Sequence, residues 1–341
     1  MSDRNFRHLL EDQWSRDNFV CVGLDSEFGK IPEFAHKYDY HNTTDVVGNV
    51  NGHTKNLSLQ KTIAAFNRAI VEATKGLVCA YKPNAAFYEA YGDQGLAALH
   101  RTIADIHAIA PDVPVILDAK RADIGNTNAG YVDAAFGYLD ADAITVHPYL
   151  GAEALQPFLA RAEKGIIVLC RTSNPGAGEF QDCKVVLTFS ELAELVGDAD
   201  KANDLSGKMS LSYPTGGYRM SMYQYVALRV SRNWNENGNC ALVVGATYPG
   251  ELREVRGLVG DMPILIPGVG FQQKDVSLEK QVDQVVSAGK DSRGQGMIIN
   301  SSRGIIFASE GMDFAEAARR ETEKLRDLIN QYRLVSPKPA A

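Results

Sequence analysis

Eight short apolar runs recur along this chain, each followed by a stretch of helical character, and no other feature limits the possible folds so strongly. The runs lie at 19–25, 77–82, 115–120, 143–147, 165–171, 241–245, 263–266 and 297–300. They are rich in β-branched residues and have the length of buried strands. Apolar periodicity predicts helices over about 58–75, 93–109, 125–138, 151–162, 219–235, 249–258 and 276–288, with one before the first strand (4–16) and one after the last (312–331). Strand and helix alternating with short links is the pattern of parallel strands joined by helical crossovers. An open doubly wound sheet could carry it, but eight units favour a closed TIM (β/α)8 barrel.

A length of 341 residues suits one such domain spanning 1–341, with material to spare. Two stretches exceed ordinary connections: about 28–56, rich in Asn, Gly, His and Tyr, and about 179–217, where helical pieces such as 190–195 alternate with loop-like sequence. The first reads as a lid or an insertion. The second has no clear assignment as a whole. A Pro/Ala tail, 336–341, is expected to be disordered.

Charge and cysteine usage exclude several classes of function. With 35 Lys and Arg against 42 Asp and Glu, the net charge is -7, and there is no basic run to attract a nucleic acid or an anionic membrane surface. No apolar stretch approaches the ~18 residues needed to span a bilayer, and the N-terminus lacks a signal-peptide core, so a cytoplasmic protein is expected. Of the 5 cysteines, Cys21, Cys79, Cys170 and Cys240 fall in or beside strand-like runs and read as buried, reduced thiols. No Cys-x-x-Cys or His-x-x-x-His spacing offers a zinc site.

Catalytic groups of such a barrel sit where its strands end. Here those ends carry Asp25, Lys82, Asp118, Lys120, His147, Ser173 and Arg303. Side chains two apart on a strand share a face, so Asp118 and Lys120 should project together, while Asp123 and Thr127, four apart, could share a face of the following helix. The set could be an ion-pair network tying strands to helices, or a functional array. Burying several charges is costly, and that cost is tolerated mostly where chemistry needs it, which favours function. A lysine held among carboxylates is favoured as the ammonium and suits proton donation better than Schiff-base formation. At the last two strand ends, Gly268-Val269-Gly270 and Ser301-Ser302-Arg303-Gly304 could be plain turns. The neighbouring arginine favours a phosphate site instead. His147 reads as a supporting hydrogen-bonding group, and Tyr223, Tyr225, Leu228 and Trp234 as packing residues.

The segment Leu117-Asp118-Ala119-Lys120-Arg121-Ala122-Asp123-Ile124-Gly125-Asn126-Thr127 resembles the signature of the orotidine 5'-phosphate decarboxylase family. Further segments agree in order along the chain: Gly23-Leu24-Asp25, Tyr81-Lys82-Pro83-Asn84, Thr145-Val146-His147-Pro148-Tyr149-Leu150-Gly151, Arg171-Thr172-Ser173-Asn174-Pro175-Gly176 and Pro267-Gly268-Val269-Gly270. The longer branch of the family, found in many bacteria and some protists, is the more similar. The resemblance implies cofactor-free and metal-free conversion of orotidine 5'-phosphate to UMP and CO2 in pyrimidine synthesis. Lys82, Asp118, Lys120 and Asp123 would form the catalytic charge array, with Lys120 as proton donor. It also implies a homodimer in which Asp123, Ile124 and Thr127 enter the neighbouring subunit's site. Asp25 and Asn84 would contact the ribose, Thr172 and Ser173 the pyrimidine, and Gly268, Gln272 and Arg303 the phosphate, with Gln273 adjacent to Gln272 and able to take its place. Phe271-Gln272-Gln273-Lys274 departs from the small, Gly-rich sequence expected there. Sister enzymes on the same barrel act on sugar phosphates with magnesium, but place an acidic ligand where this chain has Lys82. A catalytically silent nucleotide-binding protein would be expected to have lost part of the array, and here all of it is present.

Overall fold

A computed structural model describes residues 4–32, 54–207, 209–212, 216–270 and 275–334; most of the 28–56 stretch and the 336–341 tail lie outside the described residues. In chain order the strands are β1 (Val20–Leu24), β2 (Val78–Pro83), β3 (Ile116–Arg121), β4 (Ala143–Val146), β5 (Gly165–Arg171), β6 (Lys184–Leu187), β7 (Ser210–Ser212), β8 (Gly217–Ser221), β9 (Cys240–Val244), β10 (Ile264–Pro267) and β11 (Met297–Ser301). Eight of them form one parallel sheet in the order β2-β1-β11-β10-β9-β5-β4-β3. The two edges meet through bridges from Tyr81 to Val115 and from Asn84 to Asp118, with Tyr81 N–H donating to Pro114 O at 3.1 Å and Ala85 N–H to Asp118 O at 3.1 Å. The sheet therefore closes into the expected barrel. Strands such as Val20–Leu24 and Cys240–Val244 are buried along their whole length, as strands covered on both faces must be, and read as unbroken apolar runs rather than alternating ones.

One end of the barrel is plugged by the first helix, Phe6–Ser15, which buries Phe6, Leu10 and Trp14. Its contacts all lie near strand starts. Trp14 donates its indole N–H to Met297 O at 2.9 Å, and Phe6 N–H donates to Glu163 O at 2.9 Å. Just before this helix, Arg4 makes two 2.8 Å bonds to the Asp142 carboxylate, which also accepts from Val115 N–H at 2.8 Å. Burial alone would raise the Asp142 carboxyl, but the Arg4 hydrogen bonds, His107 and their charges outweigh it and hold the group at about 2.

A group whose folded value is depressed contributes stability that is present above its unfolded value and lost as pH falls through the folded one. Arg4→Met should therefore cost about 2 kcal/mol in reversible urea unfolding at pH 7. The difference from wild type should shrink as pH drops below about 4 toward 2, and an equal deficit at pH 7 and pH 2.5 would refute the linkage.

Between β5 and β9 the rhythm breaks. A three-stranded antiparallel sheet in the order β6-β8-β7 packs with helices Phe189–Val196 and Ala199–Ser206 around a small core of Leu187, Leu192, Leu195, Val196, Ala202, Met220 and Leu228. This is the 179–217 insertion. It runs further than expected, since residues 217–221 form β8 and the next helix begins only at Met222, where Ser221 and Gln224 make a capping box. The expected helix over 125–138 also divides: Gly125–Val132 is α-helical and Asp133–Tyr138 continues as a π-helical turn. No helix among the described residues is long and apolar enough to cross a membrane.

Candidate active site

At the barrel end opposite the helical plug, the strand tips surround a cavity of about 430 Å³. Its lining includes nine of the expected residues: Asp25, Lys82, Asn84, Asp118, Lys120, Thr172, Ser173, Gly268 and Arg303. Three adjacent strands supply the charged core. Asp118 on β3 accepts from the Lys82 ammonium on β2 at 2.8 Å through Oδ2, and from the Lys120 ammonium at 2.7 Å through Oδ1. Thr145 of β4 donates its hydroxyl to the same Oδ1 at 2.9 Å.

The backbone at this point is not a regular strand. Lys120 has φ +50°, a left-handed conformation that is strained for a long side chain, and β3–β4 pairing shifts register between Leu117 and Arg121. Thr145 holds the strained residue, since its Oγ1 accepts the Lys120 N–H at 3.0 Å while donating to Asp118. Simple alternation thus places the two side chains together, as expected, but over a backbone it does not describe. The strand also continues to Arg121 instead of ending at Lys120.

Burial and charge divide the two lysines. Burial alone would lower Lys82, which is 3 % exposed, but the charges of Asp118 and Asp25 outweigh it and hold its ammonium above the ordinary lysine value. Burial likewise would raise Asp118; Lys82 and Lys120, by charge and hydrogen bond, drive it well below the usual carboxylate range. Within one chain the lysine flanked by two carboxylates is therefore Lys82. Lys120 touches Asp118 alone among the described carboxylates and has half of its side chain exposed.

Asp123 lies elsewhere. It precedes the helix Gly125–Val132 rather than sharing its face with Thr127, and its backbone is clamped by Asn128, which accepts from Asp123 N–H at 2.8 Å and donates to Asp123 O at 2.6 Å. Asp123, Ile124 and Thr127 do not line this chain's cavity, and Ile124 is 58 % exposed. Gln272 and Gln273 lie outside the described residues. His147 borders a separate apolar groove, and its Nδ1 accepts from Tyr149 N–H at 3.3 Å.

Two close approaches shape the walls. A Cβ on Gly23 would fall 1.8 Å from Ser302 Oγ, so only glycine lets β1 lie against the loop carrying Arg303. A Cβ on Gly245 would fall 2.6 Å from that of Ser173. One Asp25 oxygen is buried with no hydrogen-bond partner, the state of an acceptor that a ligand hydroxyl would satisfy. The glycine loop is only partly available to an anion, because Gly270 N–H is already given to Gln281 Oε1 at 2.9 Å. Sequence reasoning missed Thr145, Asn174 and Gln181, all on the lining. Thr145 stands one residue before the end of β4, where the strand-end argument could have found it; Gln181 lies ten residues past β5, and no spacing rule points to it.

A cavity with a paired cation–carboxylate core at one side and Gly268, Ser302 and Arg303 at another fits an anionic, hydroxylated ligand. The family model for the orotidine 5'-phosphate decarboxylase / HUMPS family matches residues 20–320. The chain is 39% identical over 330 residues to the orotidine 5'-phosphate decarboxylase of Cellvibrio japonicus, covering 96% of this chain and 99% of that one. It is 41% identical over 329 residues to that of Ralstonia nicotianae, with 96% and 99% coverage. Among solved structures, Leishmania donovani OMP decarboxylase superposes with TM-score 0.68 at 31% identity, over 97% of this chain and 100% of that one.

Proposed function

Since this chain belongs to the orotidine 5'-phosphate decarboxylase / HUMPS family, we propose the following account of its action. It decarboxylates orotidine 5'-phosphate to UMP and CO2. The C6–carboxylate bond breaks, its electron pair stays on C6, and a proton from the Lys120 ammonium takes the place of CO2. The ring delocalises that carbanion poorly, so the barrier must fall through charges already in position. The observation that carries this reading is the Lys82–Asp118–Lys120 array, in which one carboxylate is bonded by two ammonium groups from adjacent strands.

Each partner has a distinct part. Lys82 keeps Asp118 ionised and fixed, and Asp118 with Thr145 aims the Lys120 ammonium into the cavity. The ionised Asp118 beside the substrate carboxylate adds repulsion that is relieved as CO2 departs. Asp25 and Asn84 bind the ribose, Thr172 and Ser173 the pyrimidine, and Gly268 and Arg303, with Gln272 beside them, the phosphate. Phosphate contacts far from C6 supply binding energy that organises the site. Lys82 also argues against the magnesium-dependent sister reactions, since it puts a buried cation where they need an acidic ligand.

A homodimer completes the site, with Asp123, Ile124 and Thr127 reaching the partner's cavity. The open face of Lys120 and the exposure of Ile124, Tyr149 and Leu150 beyond β3 and β4 support it. Five free cysteines, four of them buried, accord with a cytoplasmic location.

The test is loss of the orotate absorbance when purified protein meets orotidine 5'-phosphate in buffer containing EDTA. Conversion to UMP is expected. No conversion, with magnesium restoring activity on a sugar phosphate, would move the protein to the sister branch.

A further inference from the structure

The tip of β5 carries a hydrogen-bond chain that starts from one backbone group. Thr172 N–H, which can only donate, points at Gln181 Oε1 at 2.9 Å, and an Arg171 guanidinium nitrogen, another obligate donor, reaches the same oxygen at 3.4 Å. The Gln181 end facing them must therefore be oxygen, and its other end is the NH2 group, which lies 3.0 Å from Thr172 Oγ1 and donates to it. The Thr172 hydroxyl lies 2.7 Å from Asn174 Oδ1 and 3.4 Å from Gln181 Oε1, and it gives its proton to the nearer oxygen, that of Asn174. The amide nitrogen of Asn174 is left with no protein acceptor among the described residues, and Thr172, Ser173, Asn174 and Gln181 all line the active-site cavity.

We propose that this Gln181–Thr172–Asn174 relay makes Gln181 a positioning residue for base specificity. It fixes Asn174 with its N–H groups toward the ligand, to donate to the C4 carbonyl oxygen of the pyrimidine. The proposal rests on the decarboxylase reading and deepens it. A ring with a carbonyl at C4 accepts that bond. A ring with an amino group there meets donor with donor, leaving two polar groups unpaired at the pocket wall.

Nothing but a side chain with an acceptor and a donor at opposite corners can hold this polarity. Glutamate keeps the acceptor for Thr172 N–H but has no donor; its second oxygen would draw the Thr172 proton, release Asn174 Oδ1, and allow the Asn174 amide to turn over. The clamp also joins the barrel to its insertion, because the neighbouring Asp182 pairs with the buried Arg171 at 3.1 Å.

The measurement is competitive binding of UMP and of CMP, with ribose 5-phosphate as a ligand that has no base. Wild type is expected to prefer UMP. In Gln181→Glu that preference should fall by about tenfold through weaker UMP binding, while ribose 5-phosphate affinity stays unchanged. Thr172→Val, which keeps the volume but removes both the relay and a hydroxyl placed against the pyrimidine, should lose at least as much. The double variant should lose no more than Thr172→Val alone, a non-additivity that a general loss of packing would not produce. Full UMP preference in Gln181→Glu, in a protein that turns over orotidine 5'-phosphate, overturns the relay and leaves the reaction standing. Absence of turnover in wild type overturns the reaction instead.

Discussion

Lys120→Ala should lower kcat for orotidine 5'-phosphate by about four to six orders of magnitude, because general-acid catalysis and charge stabilisation at C6 disappear together. Each contribution alone is worth roughly two to four orders of magnitude. Affinity for UMP should stay within about tenfold of wild type, since ribose and phosphate contacts remain. The variant should also fold. Lys120 is half exposed and its ion pair is a surface-facing one, worth about 1 kcal/mol or less, while Asp118 keeps Lys82 and Thr145 as partners. Lys120→Gly should be equally inactive and no less stable than Lys120→Ala, because glycine adopts φ +50° without strain. Single-turnover kinetics with a UMP-binding control decide the matter. Substantial residual decarboxylation in a variant that binds UMP normally would remove Lys120 from the proton-donor role.

That the barrel was legible and parts of the site were not has a physical basis. A strand buried on both faces must be apolar nearly throughout, so Val20–Leu24 or Cys240–Val244 announces itself in the residues alone. Strand ends in a barrel converge, so Asp25, Lys82 and Asp118 could be grouped without coordinates. The backbone at Lys120 could not, because a left-handed lysine is stabilised by Thr145 from the next strand, a contact 25 residues away. For the same reason the sandwiched lysine turned out to be Lys82: which ammonium lies between Asp25 and Asp118 depends on how β1, β2 and β3 stagger. The insertion resisted assignment because β6 buries only Leu187 of its four residues and its helices are only two turns long. Their caps were nonetheless present in the sequence, as Thr188 with Glu191 and as Asp198. Asn174 fell within a recognised segment, but its part depends on Gln181, which only the fold brings back to Thr172.

Asp123 provides the second large effect. In a single chain it is held by Asn128 and Ile124, outside the cavity, while Lys120 keeps an open face toward the β3 end. If the partner subunit fills that face, Asp123→Ala should be about as inactive as a loss of transition-state charge organisation implies, roughly three orders of magnitude or more in kcat. Neither it nor Lys120→Ala should work alone, yet the two together should. In a co-expressed one-to-one mixture, half of the dimers pair one of each chain, and each such dimer has one site with both lesions and one with none. About a quarter of all sites are then intact, so the mixture should regain about a quarter of wild-type kcat with an unchanged KM. A mixture no more active than its parents would confine Asp123 to its own subunit, where 2.6 Å from Ile124 N–H it would serve only to start the helix that follows.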